Sequence, residues 1–528
     1  MKTPKKNPVL PFLLILLSSF MVRAQAPTMG NPEELPYTIR VEDVTRDEIP
    51  GLHSFAFAQW DGWWVVICGR INGLHGFFPF TAFPENGINA SIRIIDPETG
   101  EMYSYAIDDL DLPYPGQLKS TNPQYAQEGE WLYIAGGYGK MPESDDFITF
   151  PTLTRVHLPS LITNVIWNEN PSAAFRQIQS PEMQVCGGEM DLLDDYFYLV
   201  GGHDFAGNYS QTQTSTFTQE YTYEIRKFKI EQVGDSLGIT NYTVYHDEEN
   251  LRRRDFSLAP IVQPNGNHGL CLYGGVFRPD ADLPYYNPVY ITDENIFEMD
   301  ADYEQVFSQY TCPTIPLFDA QDQSMYTLFF GGLSVHYYQQ NDEAVYYDER
   351  VPFIKDITTF RRQADGSSLE FLMPQYFDEL LGSNMIFVPN LEAPHYNNEV
   401  FKLQEMSGEV FLGYLFGGIK AEIPNITPSS ASNRMFKVYI QHRPIVQTND
   451  PLSYPTPVSI SPNPFTSHSI LAIEAAQPIE NLQLFHSNGT LLGQFGNDQD
   501  ALERRLLQLP RGIYFVRING GMVRLVRG

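Results

Sequence analysis

Bases are scarce in this chain: 34 Lys and Arg stand against 64 Asp and Glu, a formal charge of −30 over 528 residues. They are also unevenly placed. Residues 1–24 hold four (Lys2, Lys5, Lys6, Arg23) and no acid, and the segment from Ser453 onward balances at +1, so the stretch between carries about −35. Such a surface repels phosphate backbones and anionic lipid, which argues against nucleic acid as a partner. Its simplest use is to keep an exported protein soluble. Cysteine is scarce too. The four present (Cys68, Cys186, Cys271, Cys312) form no CxxC pair and no Cys/His set with zinc spacing, which excludes a disulfide scaffold or a zinc module. Cys68 and Cys271 sit inside the apolar runs VVICG and LCLYGG, as buried inert thiols do, and a Cys186–Cys312 disulfide stays open. After residue 25 no run reaches the roughly 18 apolar residues of a membrane span. There is no GxSxG elbow and no HxH, HxxxH or HExxH pair. What is abundant is aromatic residues (13%), Gly (39) and Pro (39), the composition of many short strands joined by turns.

The two ends read as addresses. Residues 1–24 have a basic start, an apolar stretch from Val9 to Val22 and then small residues, the pattern of a secretory signal cut after Ala24. Residues 446–457 are a Pro-, Ser- and Thr-rich linker. Residues 458–528 alternate apolar and polar positions, broken at Asn488-Gly489 and Gly520-Gly521, and predict a small β-sandwich. In order, they carry Pro462-Asn463-Pro464-Phe465, the turn Ser487-Asn488-Gly489, Leu509-Pro510-Arg511-Gly512-Ile513-Tyr514 and the basic end Arg524-Leu525-Val526-Arg527. That set resembles the C-terminal sorting domain of the Bacteroidota type IX secretion system, with Arg527 where Lys is commoner. The resemblance implies export through the periplasm to the outer-membrane surface or the medium, with the secretion machinery as partner.

Between the ends, residues 25–445 repeat themselves. An apolar run closing on small residues, mostly Gly-Gly, recurs six times: WWVVICG to Gly69, WLYIAGG to Gly137, YFYLVGG to Gly202, LCLYGG to Gly275, MYTLFFGG to Gly332 and GYLFGG to Gly418. Each run follows a first strand and a tight polar turn, the last such turn being Glu405–Gly408. Each precedes a long polar loop and a third alternating strand such as 91–96, 223–230 or 436–442. A fourth strand, such as 102–107, follows most of them, and four antiparallel strands in each of six units predict a six-bladed β-propeller. The double glycine resembles the kelch family. The intervals of 57 to 86 residues exceed the usual kelch length of about 50, and the usual Trp after the third strand is missing, with Met102 and Tyr103 near its place. The sixth unit has no fourth strand of its own. The unused alternating run 37–44 is expected to supply it, leaving no open edge in the ring.

The long loops all follow second strands and so emerge on one face, where function concentrates. They, and the approaches to first strands, carry His53, Arg70, His75, His203, Arg254, Tyr286, His336 and Tyr337, the candidate ligand-binding residues. Arg70, Arg254 and Arg278 are conspicuous cations on an acidic domain and suit a carboxylate or sulfate. The tyrosines suit a sugar ring or a protein partner. Acids at Glu143, Asp145, Asp146, Asp280 and Asp282 lack the EF-hand pattern. The pattern points to no catalytic set, metal or cofactor. The leading expectation is a secreted or cell-surface binding module for glycan or protein. The alternatives are a carbohydrate-active or oxidoreductase-type enzyme with its site in the central funnel, or a structural part of an outer-surface assembly.

Overall fold

The computed structural model describes residues 28–443 and 458–527, apart from Phe77, Glu143, Asp145, 210–215, Asp235, 293–295, Pro462, 467–471, 476–477, Glu480, 487–489 and 519–520. The expected signal (1–24), the linker (446–457), Glu143, Asp145, Pro462 and the turns at 487–489 and Gly520 therefore lie outside the described residues. Two compact units divide the chain, Met1–Pro444 and Ile445–Gly528.

Regular structure in the first unit is dominated by antiparallel sheet, and six sheets each have four strands at their heart. The first runs through Ala56–Trp60, Trp63–Ile67, Ser91–Ile95 and Met102–Ala106. The second has Gln124–Glu128, Trp131–Ala135, Thr152–His157 and Phe175–Gln179, and the third has Glu189–Leu193, Tyr196–Val200, Glu224–Val233 and Ser236–His246. The fourth has Ser257–Val262, His268–Tyr273, Val289–Thr292 and Glu298–Met299, and the fifth has Thr314–Asp319, Ser324–Leu333, Phe353–Arg362 and Ser368–Tyr376. The sixth joins Leu380–Pro389, Glu409–Ile423 and Met435–His442 to the N-terminal strand Tyr37–Asp43. That strand pairs along its whole length, from Tyr37 opposite His442 to Asp43 opposite Phe436.

Each second strand is one of the apolar runs, and its continuous hydrophobicity has a physical cause: both of its faces are covered. In Trp63–Ile67, Val65 and Ile67 pack toward the second sheet with Leu132 and Ile134, while Trp64 and Val66 pack toward the sixth with Tyr414 and Phe416. Further clusters fill the spaces between the second and third, third and fourth, fourth and fifth, and fifth and sixth sheets. Six inter-sheet cores share the hydrophobic stabilisation, at roughly 1.5–3 kcal/mol per large buried side chain.

The double glycines sit where those sheets touch. Gly136 and Gly137 have φ of +63° and +91°, and a Cβ on Gly136 would stand 1.9 Å from the Val185 carbonyl oxygen of the approach to the third sheet. Only glycine meets both demands without strain. The second glycine of the pair bonds across the gap. Gly69, Gly137 and Gly202 donate N–H to the carbonyls of Ser120, Val185 and Arg253, and Gly418 donates to Leu52, joining the sixth sheet back to the first. The first repeat has Cys68 in place of the leading glycine, at φ +66°.

Two expectations need correction. The first strand of the sixth sheet is Leu380–Pro389, not a segment just before Glu405; a long connection, 390–408, follows it, in which Phe401–Lys402 pairs parallel with Thr314–Asp319. Three of the long polar loops fold as two-stranded hairpins: Tyr138–Lys140 with Phe147–Thr149, His203–Gly207 with Phe217–Tyr221, and His336–Gln339 with Ala344–Tyr347. Their alternation continues past the glycines and supports pairing. The Cys186–Cys312 disulfide that the sequence leaves open is not formed. All four cysteines are buried free thiols; Cys186 packs against Thr149 and Cys312 against Ser257, in different sheets' surroundings.

The second unit has a two-stranded sheet, Val458–Ser461 with Ala472–Ala475, and a four-stranded sheet in the order Leu491–Gly496, Leu482–His486, Gly512–Ile518, Gly521–Arg527. It also has a helix, Gln499–Leu506, that strand alternation alone does not anticipate. Asp498 caps it by accepting from the Ala501 N–H, Arg504 and Arg505 close its last turn, and Leu502 and Leu506, one turn apart, enter the core with Leu482, Val516 and Leu525. Asn463 donates to the Arg524 carbonyl (2.6 Å) and accepts from the Val526 N–H (2.8 Å), and Phe465 is fully buried. The segment around Asn463 and the terminal strand, far apart in sequence, thus meet at one place.

Candidate functional site

One residue just ahead of, or early in, each first strand adopts the left-handed conformation: Ser54, Asn122, Gly187, Asp255, Thr311 and Asn384, with φ between +51° and +65°. Four are residue types that tolerate φ > 0, through a short polar side chain or the lack of one; Ser54 and Thr311 hold it at more strain. Five backbone bonds link them in series. Asn122 N–H donates to Ser54 O (3.1 Å), Gly187 to Asn122 (3.2 Å), Asp255 to Gly187 (2.7 Å), Thr311 to Asp255 (3.0 Å) and Asn384 to Thr311 (2.5 Å). This chain of peptide groups separates two cavities. Side chains before it in sequence line one of about 380 Å³, and side chains after it line one of about 270 Å³.

The larger cavity takes two residues from every repeat, the one before the left-handed residue and the one after the glycine pair. They face each other as backbone bridges: His53 with Arg70, Thr121 with Tyr138, Cys186 with His203, Arg254 with Val276, Tyr310 with Leu333 and Ser383 with Ile419. Of the sequence candidates, His53, Arg70, His75, His203 and Arg254 all line this cavity. Tyr286, His336 and Tyr337 do not. His336 Nδ1 meets the Val306 carbonyl oxygen (2.7 Å) and its ring packs on Tyr347, Tyr337 stacks on Tyr346, and Tyr286 lies under Arg278. The hairpin of His336–Gln339 and Ala344–Tyr347 gathers these rings beside the cavity.

Electrostatics here rest on the arginines, because burial keeps the histidines neutral. Burial pushes His53 down to about 4, with the Arg70 charge adding to the effect; it lowers His75, and it holds His203 well below the usual imidazole range with the help of Arg254. His53 is held on both sides, Nδ1 by Ser54 Oγ (2.9 Å) and Nε2 by the Asn72 carbonyl (2.8 Å). His203 Nδ1 accepts from Gln219 Nε2 (2.6 Å). His75 stacks on Phe83 and meets the edge of Tyr209.

Arg70 is 5% exposed and forms no ion pair among the described residues. Its Nε donates to Asn72 Oδ1 (2.8 Å) and its Nη2 to the Pro84 carbonyl (2.6 Å); no bond is made by Nη1 among the described residues. Burial draws it down to about 10, the mark of an uncompensated buried cation. Arg254 is different: it pairs with Asp255, whose charge raises it against the desolvation, and lies over Phe277. Arg350 sits at the rim, paired with Asp348, together with the exposed acids Asp282 and Glu349. Arg278 is paired with Asp280 outside the cavity. Among the described residues no group of three or more His, Cys, Asp or Glu is arranged to hold a metal ion.

Sequence reasoning missed Tyr138, Cys186, Asp255 and Tyr310. A positional rule finds three of them: the residue after each glycine pair and the residue before each left-handed position belong to the site. Asp255 is itself one of the left-handed residues.

No protein-family model matches the chain, and no curated protein matches it. Among solved structures, "Structure of YjhT" is similar at 12% identity and a TM-score of 0.39, covering 73% of this chain and 97% of that one. At that distance nothing of its chemistry transfers. The regular structure defines an all-β protein with many antiparallel sheets. In the helices of the described residues, no segment is long and apolar enough to cross a membrane.

Proposed function

We propose that residues 25–445 are a six-bladed, kelch-like β-propeller that acts as a binding module, with its site in the 380 Å³ cavity on the long-loop face. The circuit of inter-sheet cores, the Gly418–Leu52 link and the N-terminal strand in the sixth sheet support this reading of the fold. One observation carries the function: Arg70, a buried guanidinium with no ion pair among the described residues, lies in the wall of a cavity to which all six repeats contribute. A buried charge without a counter-ion is costly, and a ligand anion supplies one. The volume suits a small molecule or the end of a longer one, a glycan terminus or a polypeptide terminus.

The same proposal assigns the C-terminal unit to delivery. Residues 458–528 are a type IX sorting domain, residues 1–24 a signal peptide, and the mature protein is secreted or held at the outer-membrane surface. The juxtaposition of Asn463 and Phe465 with the terminal strand supports this. Ending the chain at residue 457 in a type IX host should leave the protein in the periplasm; normal surface delivery would refute the assignment.

The binding reading is tested by screening the mature chain against glycans, peptides and small acids by thermal shift. A saturable ligand whose binding falls on Arg70→Met, with circular dichroism unchanged, is the expected result. A ligand indifferent to Arg70→Met, His203→Ala and Tyr138→Phe together would place binding elsewhere.

A further inference from the structure

The cavity wall is divided in two. In the first three sheets the residues after the glycine pairs are Arg70, Tyr138 and His203; in the last three they are Val276, Leu333 and Ile419. Val351 and Phe353 extend the apolar half. Arg70 lies in the polar half, and its Nη1 makes no bond among the described residues.

A ligand satisfying both halves needs an anionic group at one end and an apolar body at the other. A carboxylate can accept from the uncommitted Nη1 in a charge-assisted hydrogen bond. Arg254 is paired with Asp255 and Arg350 with Asp348, so among the described residues Arg70 is the cavity cation without a counter-ion, and one anionic group is favoured over several. A hydroxyl-rich body is disfavoured, because Val276, Leu333 and Ile419 offer it no hydrogen bonds and would desolvate its hydroxyls without compensation.

Resting on the assignment of this cavity as the binding site, we infer that its ligand is a monocarboxylate attached to a short branched or aromatic apolar group, with the carboxylate at Arg70 and the apolar group against Val276, Leu333 and Ile419. Two sources present that chemistry: a free organic acid, and the C-terminal residue of a polypeptide ending in an apolar side chain.

Calorimetry on the full mature chain tests this with 4-methylpentanoate and phenylacetate, each beside its amide. A hexapeptide ending in Leu, with free or amidated C-terminus, and glucuronate complete the set. The expected result is saturable binding of at least one free acid or free-terminus peptide, weakened at least tenfold in its amide. Leu333→Thr should weaken it several-fold, and Arg70→Lys should retain more affinity than Arg70→Met. Tighter binding of the peptide than of either small acid identifies the polypeptide source; the reverse identifies the free acid. Equal affinity for acid and amide overturns the inference, as does preference for glucuronate, while either leaves the cavity as the binding site if Arg70→Met still abolishes it. If none of these probes binds but a glycan from the wider screen does so through Arg70, the inference falls and the binding reading stands. If nothing binds through Arg70, both fall.

Discussion

The two cavities on either side of the left-handed residues are made by the same six repeats, yet only the larger has basic side chains among its described lining residues. The larger holds Arg70, Arg254 and Arg350 with three histidines kept neutral by burial. The smaller is lined by Glu189, Asp255 and Glu399, with no Lys, Arg or His among its described lining residues. Burial raises Glu189 there to about 8, with Asp191 and Asp255 adding to it; Asp191, two residues further along the same strand, is raised by burial to about 7. The difference teaches where variation is allowed. First strands must pair with second strands along their length. The loops and hairpins that follow the glycines have no such partner to satisfy and can bring in arginine, histidine and tyrosine.

The largest expected effect breaks both cavities at once, by prising apart two sheets that line them. Gly331 has φ +63°, and a Cβ there would lie 2.1 Å from the Leu381 carbonyl oxygen, against backbone that has no rotamer to escape into. Gly331→Ala should cost about 3 kcal/mol or more from overpacking and strain together. Gly366 is equally left-handed, at φ +85°, but nothing stands within 4 Å of its Cβ position, so Gly366→Ala should cost about 1 kcal/mol. Denaturant midpoints of the two variants separate contact from conformation; equal costs would mean that the sheets do not meet as closely as described.

Next in size is the loss of the anion anchor. Arg70→Met should weaken an Arg70-dependent ligand about 30-fold, the worth of a charge-assisted bond near 2 kcal/mol. The unliganded protein should be little changed in thermal stability, because the same substitution removes an uncompensated buried charge. A stability loss as large as the affinity loss would show instead that Arg70 serves mainly to hold Asn72 and Pro84.

These residues also mark how far the sequence was legible. The glycine pairs revealed the six second strands because their spacing repeats and their cause, sheet contact, is the same in each copy. The left-handed series was hidden, since Ser54, Asn122, Gly187, Asp255, Thr311 and Asn384 share a backbone angle and no residue type. Arg254 was visible as a rare cation while its neutralising neighbour Asp255 was not. Tyr286, His336 and Tyr337 lie outside the larger cavity, because position in a long loop does not tell which loops fold back on themselves. The sixth unit's first strand was misplaced because Ser407-Gly408 resembles a hairpin turn, whereas it ends a connection that begins at Asn390.

A smaller effect sharpens the contrast through pH. His53 has a lower pKa folded, about 4, than unfolded, so between about pH 6.5 and 4 the unfolded chain binds more protons and stability falls as the solution is acidified. His53→Gln, which keeps a donor for the Asn72 carbonyl, should remove about 2 kcal/mol of that acid-side loss. Urea melts at pH 7 and pH 4.5 measure it, and an unchanged difference between the two would assign the acid sensitivity to other groups.

The smallest effect has the opposite sign and belongs to the other cavity. Glu189 has a raised folded pKa, so the folded chain holds the extra proton; its favourable contribution is complete below the unfolded carboxyl value near 4.5 and is lost as pH rises through about 8. Glu370 and Asp356 are raised by burial as well, to about 7 and about 6, so wild-type stability has a background fall over the same range. The informative quantity is therefore a difference of slopes. Glu189→Gln should flatten the decline between pH 5 and pH 9 by about 1 kcal/mol, a figure kept small because Glu189 is only part-buried and solvent screens its charge. It should leave the His53-dependent loss below pH 6.5 untouched. If the Gln variant declines as steeply as wild type, Glu189 is already ionised and compensated within the passage, and the opposition between the two cavities is one of lining alone rather than of charge.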